Sequence, residues 1–127
     1  MDFSYSQQQI DVKNLAVQIL TDQTTQDRLR AVDEFEDKFD NKLWSDLAAA
    51  GLLAVAIDEQ YGGSGFGFET LSLLFEELGR TVAPVPLVPI LTTAYVLQKY
   101  ASAELCQRYL PELAKGEAMI TAALLEP

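Results

Sequence analysis

The chain has 127 residues, enough for one domain with a buried core and too few for a second of ordinary size. Nine basic residues against nineteen acidic ones leave a net charge of −10, which repels phosphate backbones and anionic lipid and sets nucleic acid and membrane surfaces aside as partners. With no histidine and one cysteine, Cys106, the sequence lacks the usual zinc sets, a Cys-His pair, the base of a serine triad and any internal disulfide.

Met1 to Ser6 has no basic stretch leading into an apolar one, so it does not read as a signal peptide, and a cytoplasmic location is expected. Val12, Leu15, Ala16 and Ile19 recur at steps of three and four, which predicts a helix from about Gln7 to Thr21 with these residues on one stripe. A charged segment, Thr25 to Asp40, follows. Its acids Asp33, Glu34, Glu36, Asp37 and Asp40 lack the spacing and central glycine of a calcium loop and read as a solvated face. Asp40 is also placed to cap a helix running to about Ala50, because its carboxylate can accept the first free N–H groups, and Gly51 can close that helix. Leu43, Trp44 and Leu47 stand at core spacing within it. Leu52 to Ile57 is a short apolar run, and Asp58 to Gly67, with four glycines, reads as a structured loop.

Gly62-Gly63-Ser64-Gly65-Phe66-Gly67 precedes a helix, the setting in which backbone N–H groups can cradle a phosphate. The lysine and hydroxyl residue of a P-loop are missing after Gly67, Phe68 stands where a dinucleotide loop needs glycine, and Glu69 repels an anion. A tight chain reversal is the expected role. From Glu69 to Arg80, Leu71, Leu74, Phe75 and Leu78 share one helical face, and Glu76 and Arg80 stand four apart in the favourable order for an ion pair. Neighbouring helical residues point about 100° apart, so Glu76 and Glu77 cannot act as a carboxylate pair across one substrate.

Pro86 and Pro89 lack an N–H and fit the start of a helix running to about Tyr100, with Leu87, Ile90, Leu91, Ala94 and Tyr95 as its apolar stripe. The uncharged stretch from Thr81 to Leu97 is broken by three prolines and falls short of the roughly 20 apolar residues of a membrane span. Ser102 can cap a last helix that turns Leu105, Tyr109 and Leu113 inward and ends at Gly116; Cys106 within it reads as a packed or exposed thiol without an activating base. Ala118 to Leu125 is a nearly continuous apolar run closed by Glu126-Pro127, the pattern of a buried strand with no partner strands in the sequence. The fold expected is therefore all-α, a bundle of about five helices over residues 1–117 with a terminal strand-like segment. Residues 118–127 are expected to open a middle β-domain that is otherwise absent, which makes the chain part of a larger polypeptide. A helical extension or a single edge strand is the alternative for this segment.

Four blocks in register carry a family resemblance: Trp44-Ser45-Asp46-Leu47-Ala48-Ala49-Ala50-Gly51-Leu52-Leu53, Asp58-Glu59-Gln60-Tyr61-Gly62-Gly63-Ser64-Gly65, Leu74-Phe75-Glu76-Glu77-Leu78-Gly79-Arg80, and Tyr109-Leu110-Pro111-Glu112-Leu113-Ala114-Lys115-Gly116-Glu117. Together they resemble the amino-terminal helical domain of acyl-CoA dehydrogenases. Ala123-Leu124-Leu125-Glu126-Pro127 is similar to the Thr-Glu-Pro strand that opens the family's middle β-domain. The resemblance implies a flavoenzyme that oxidises an acyl-CoA thioester at its α and β carbons, with FAD taking the hydride and a carboxylate of the carboxy-terminal helical domain taking the α-proton. It places no catalytic residue in this chain, which alone is expected neither to turn over substrate nor to retain FAD. The implied partners are the remaining β and carboxy-terminal helical domains, the acyl-CoA substrate, an electron acceptor and a homo- or hetero-oligomeric assembly. By position, Val85, Val88, Pro89 and Thr92 fall along the acyl wall, and Ala122, Leu124 and Leu125 fall beside the flavin ring. Leu125 departs from the family's usual threonine, whose hydroxyl can hydrogen-bond the flavin. Two other readings stay open: a stand-alone helical interaction module docking through its terminal strand, and a non-catalytic subunit of a mixed assembly.

Overall fold

The computed structural model describes residues 4–123. Among them the chain forms six α-helices, two 3₁₀ turns and no strand. The helices are α1 (Gln7–Gln23), α2 (Gln26–Asp33), α3 (Asn41–Ala49), α4 (Gly67–Thr81), α5 (Leu87–Tyr100) and α6 (Ala103–Ala114), with 3₁₀ turns at Leu52–Ala54 and Glu59–Tyr61. The all-α bundle expected from the sequence is present, with α2 as one helix more than the pattern shows. α2 has only 8 residues and buries only Val32, so it has no apolar stripe to detect. Its local signal is Thr25, whose hydroxyl accepts the Arg28 N–H as an N-cap. Ser6 and Gln9 close a reciprocal capping box on α1, and Asp40 and Ser102 cap α3 and α6 as predicted.

The core gathers Leu20 of α1, Leu43 and Leu47 of α3, Leu71 and Leu74 of α4, Leu87 of α5, and Leu110 and Leu113 of α6, all without meaningful exposure. The apolar run Leu52 to Ile57 is buried along its whole length beneath them. Two predicted faces are turned. Ala16 and Leu20 are the buried residues of α1, while Leu15 is 38% exposed; on α6, Leu105 is exposed and Cys106 takes the inner position.

Helices α1 and α4 pack most extensively and run in the same direction. Gln9 meets Glu69 at 3.5 Å near their starts, Lys13 meets Glu76 at 3.3 Å, and Thr21 meets Arg80 at 3.2 Å near their ends. This contact corrects the predicted Glu76–Arg80 pair. Arg80 Nε instead donates to Glu77 at 2.6 Å, and Lys13 lies 3.7 Å from the same carboxylate. Glu77 is buried against α1, and a buried charge draws its nearest cations more strongly than an exposed one does.

The glycine-rich loop is a chain reversal stitched to the buried run. The N–H groups of Ser64, Gly65 and Phe66 donate to the carbonyls of Ala54, Ile57 and Val55 at 2.8–2.9 Å, so these donors are engaged within the protein. A Cβ at Gly63 would lie 1.9 Å from the Ile57 carbonyl oxygen, which is why glycine is required there. Gln98 of α5 clamps the same run, accepting the Asp58 N–H at 2.7 Å and donating to the Ala56 carbonyl at 3.2 Å.

After α6 the N–H groups of Gly116, Glu117 and Ala118 return to the carbonyls of Leu113 and Glu112. Gly116 has φ +76°, and its carbonyl accepts the Trp44 indole N–H at 2.9 Å, which bears out Trp44 as a core residue. Residues 118–123 continue without regular structure, so the predicted strand is not formed in that part; its Leu124 and Leu125 lie outside the described residues. No described helix is long and apolar enough to cross a membrane.

Candidate functional site

α5 carries apolar residues on nearly every side. Leu87, Ile90, Leu91 and Ala94 are buried, yet Val88 and Val96 on the outer side remain 45% and 48% exposed. A helix of this kind covers a core with one side and leaves the other for further apolar company. The outer side forms one wall of a groove of about 330 Å³, built from Val88, Pro89, Thr92, Thr93 and Val96. The returning chain supplies the facing wall through Thr121 and Ala122. A second hollow of about 230 Å³ continues from it through the shared Pro89 and Thr121 to Pro86, Ile90, Met119 and Ile120.

Among the described residues, no ionisable group lines either hollow. Thr93 spends its hydroxyl on the Pro89 carbonyl at 2.7 Å. Among the described residues, no hydrogen bond joins the backbone of 119–123 to another element, so this segment presents free N–H and C=O groups beside an apolar trough. Groups with shifted ionisation lie elsewhere. Burial pushes the Tyr61 phenol up, and the Arg28 guanidinium holds the Asp40 carboxyl below its usual range. The groove can seat hydrocarbon and shield it from water, and its described lining is apolar side chains and threonine hydroxyls.

Four of the residues placed by resemblance meet here: Val88, Pro89 and Thr92 on one wall and Ala122 on the other. Val85 does not. It is 7% exposed and packs into the core below the start of α5. Leu124 and Leu125 lie outside the described residues. Thr93, Val96 and Thr121 complete the lining and were not singled out from the sequence. Val96 was detectable in principle, since it lies eight residues beyond Val88 and two helical turns return it to the same side.

Residues 6–117 match the family described as acyl-CoA dehydrogenase, N-terminal domain. The chain belongs to this family. Acyl-CoA dehydrogenase FadE27 of Mycobacterium tuberculosis is 33% identical over 125 residues, covering 98% of this chain and 34% of that protein. The ChsE4-ChsE5 complex from Mycobacterium tuberculosis superposes with a TM-score of 0.89 at 31% identity, over 95% of this chain and 34% of that one. A variant of the Tcur3481-Tcur3483 steroid ACAD superposes with a TM-score of 0.86 at 44% identity, over 90% of this chain and 31% of that one. This acyl-CoA dehydrogenase N-terminal domain therefore spans about a third of the length of the curated relatives it matches. The family typically uses FAD, and the groove fits only part of it. The apolar lining suits a flat ring or an alkyl chain, whereas among the described residues the diphosphate finds no cation or charged donor along either wall.

Proposed function

We propose that this domain supplies the helical wall along which the acyl group lies in an FAD-dependent acyl-CoA dehydrogenase, with residues 118–127 opening the middle β-domain of the complete enzyme. The groove between α5 and residues 121–122 is the observation that carries this reading. Each methylene moved from water into such a trough gains about 0.8 kcal/mol, so a few seated carbons anchor a thioester without any charged contact. Val88, Pro89, Thr92, Thr93 and Val96 hold the chain and exclude water, while Ala122, with Leu124 and Leu125, borders the flavin ring. When bound, FAD supplies the acceptor for the β-hydrogen as hydride, and the base for the α-proton comes from outside this chain. The diphosphate of FAD, the coenzyme A moiety and the electron acceptor fall to the remaining domains and partners. The likeness to a protein named as a steroid ACAD supports a bulky, ring-bearing acyl group as the substrate class.

The test is Thr92→Trp in the complete enzyme. A bulky ring across the trough is expected to lower kcat/KM for a steroid or long-chain acyl-CoA by about tenfold or more, a loss of roughly 1.4 kcal/mol of transition-state binding. Butanoyl-CoA, which reaches less far, is expected to lose much less, and FAD content is expected to stay the same. Equal losses for long and short substrates would remove the groove from the acyl path.

The free backbone of 119–123 supports a second reading, in which a separate protein adds a strand to this segment. Loss of partner binding on deleting residues 118–127, in a chain with no dehydrogenase counterpart, would favour it.

A further inference from the structure

We infer that Arg28 and Asp40 form a positioning clasp that sets where α5 begins and thereby shapes the groove; the functional part of this inference rests on the groove being the acyl wall. Asp40, expected from the sequence to lie on a solvated acidic face, has no exposure at all. Its Oδ1 accepts from Arg28 Nη2 at 2.6 Å and from the Leu43 N–H at 3.0 Å, and its Oδ2 accepts from Arg28 Nε at 2.8 Å. Its own N–H donates to the Pro84 carbonyl at 3.1 Å. One residue thus joins α2, the start of α3 and the connection between α4 and α5.

A helix cap alone does not require this arrangement. Serine or asparagine caps as well as aspartate, and a buried carboxylate is costly without a forked cationic partner. What the pair adds is a fixed place for the Asp40 backbone. The connection it holds has little else to hold it, because Pro84 and Pro86 have no N–H to donate and Pro89 lacks one in the first turn of α5. The N–H groups of Val82 and Ala83 return to the end of α4, and those of Val85 and Leu87 bond within the connection. Among the described residues, Asp40 to Pro84 is the backbone hydrogen bond that ties this connection to a distant part of the chain. Burial of Val85 and Leu87 chooses which side of α5 faces the core, but apolar contact is non-directional and fixes the position along the axis only weakly. Val88, the first residue of the groove wall, follows Pro84 by four residues across the start of α5.

Two variants of the full chain test the clasp by methyl NMR and amide hydrogen exchange. Asp40→Ser keeps a side-chain cap for Leu43 and releases the guanidinium to water; Arg28→Lys keeps the charge and loses the fork. In Asp40→Ser, the methyl signals of Val88 and Thr92 are expected to shift, and the amides at positions 40 and 87 to exchange about tenfold faster, the net worth of one hydrogen bond. The Leu20 amide is expected to keep its rate, and Arg28→Lys to move the same methyl signals part of the way. Changes confined to α2 and α3 in both variants, with the groove methyls unmoved, would overturn the clasp. If Asp40→Ser does not fold, Arg28→Lys decides alone, since that side chain is 34% exposed and leaves the carboxylate a cation. The Thr92→Trp comparison in the complete enzyme separates the two levels. Groove methyls that respond to the clasp variants, with equal losses for long and short substrates in that enzyme, would refute the acyl wall and leave the clasp standing.

Discussion

The Asp40 carboxyl is held below the usual carboxylate range chiefly by its hydrogen bonds from Arg28, which outweigh the opposing effect of burial, with the Leu43 N–H adding to them. Its folded pKa is lower than its unfolded one, so the native state binds fewer protons here. The stabilisation is fully present above about pH 4 and is lost as pH falls through the depressed folded value. Asp40→Asn is therefore expected to weaken the protein at about pH 7 and to differ less from wild type at about pH 3, as read by urea melts at each pH. A gap of the same size at both would show that the charge contributes nothing. The cap was legible in the sequence, because aspartate before an apolar-periodic segment has a local meaning. Its partner was not, since Arg28 lies twelve residues away across a bend and no periodicity links the two. Glycines divide by the same kind of local accounting. Gly79 sits inside α4 with nothing near an added Cβ, so Gly79→Ala is expected to stabilise the fold by about 0.5–1 kcal/mol. Gly63→Ala is expected to disrupt the reversal, because the Ile57 backbone occupies the space. Thermal melts that rank the two substitutions in the opposite order would contradict this account.

α4 was the clearest element in the sequence and is among the most regular in the structure, because its leucines repeat at helical spacing and its buried side faces α1. Its end was not legible. The helix closes on Val82 with φ +52° and the side chain 74% exposed, a left-handed conformation that a β-branched residue adopts at a cost of roughly 1–2 kcal/mol. Val82→Gly relieves that strain and returns part of the gain to the more flexible unfolded chain. A net rise in stability of up to about 1 kcal/mol is expected from a thermal melt followed by circular dichroism; a fall would mean that the exposed side chain holds a contact in solution. α5 shows a different limit. Its inner stripe was readable, but its outer side is also apolar, so periodicity alone could not separate core from groove. Val88, Pro89 and Thr92, named from the family likeness, line the groove, whereas Val85 turns into the core from the connection before α5. The facing wall, Thr121 and Ala122, exists only because the chain returns past α5 after α6, and no local pattern announces such a return.

At the scale of the molecule, the parallel pairing of α1 with α4 joins elements more than forty residues apart and leaves the intervening chain to lace across them. The sequence supplied the amphipathic faces but not which face meets which. The charge imbalance belongs to this scale as well. A net charge of −10 on 127 residues makes the folded state repel itself, and the exposed ion pairs that oppose this are each worth only about 0–1 kcal/mol. Raising salt from about 10 mM to about 0.5 M is expected to raise Tm by screening the surplus acids more than it weakens those pairs. A lower Tm in high salt would assign the ion pairs a larger share than their exposure suggests.

The sequence contains a single tryptophan, and its indole is tethered to the carbonyl that immediately precedes the last stretch of the chain. Ultraviolet emission from this ring is thus a resident gauge of how that stretch is seated. A protein that pulls on it, or a neighbouring domain that settles over it, changes the colour and brightness of the light with no dye attached.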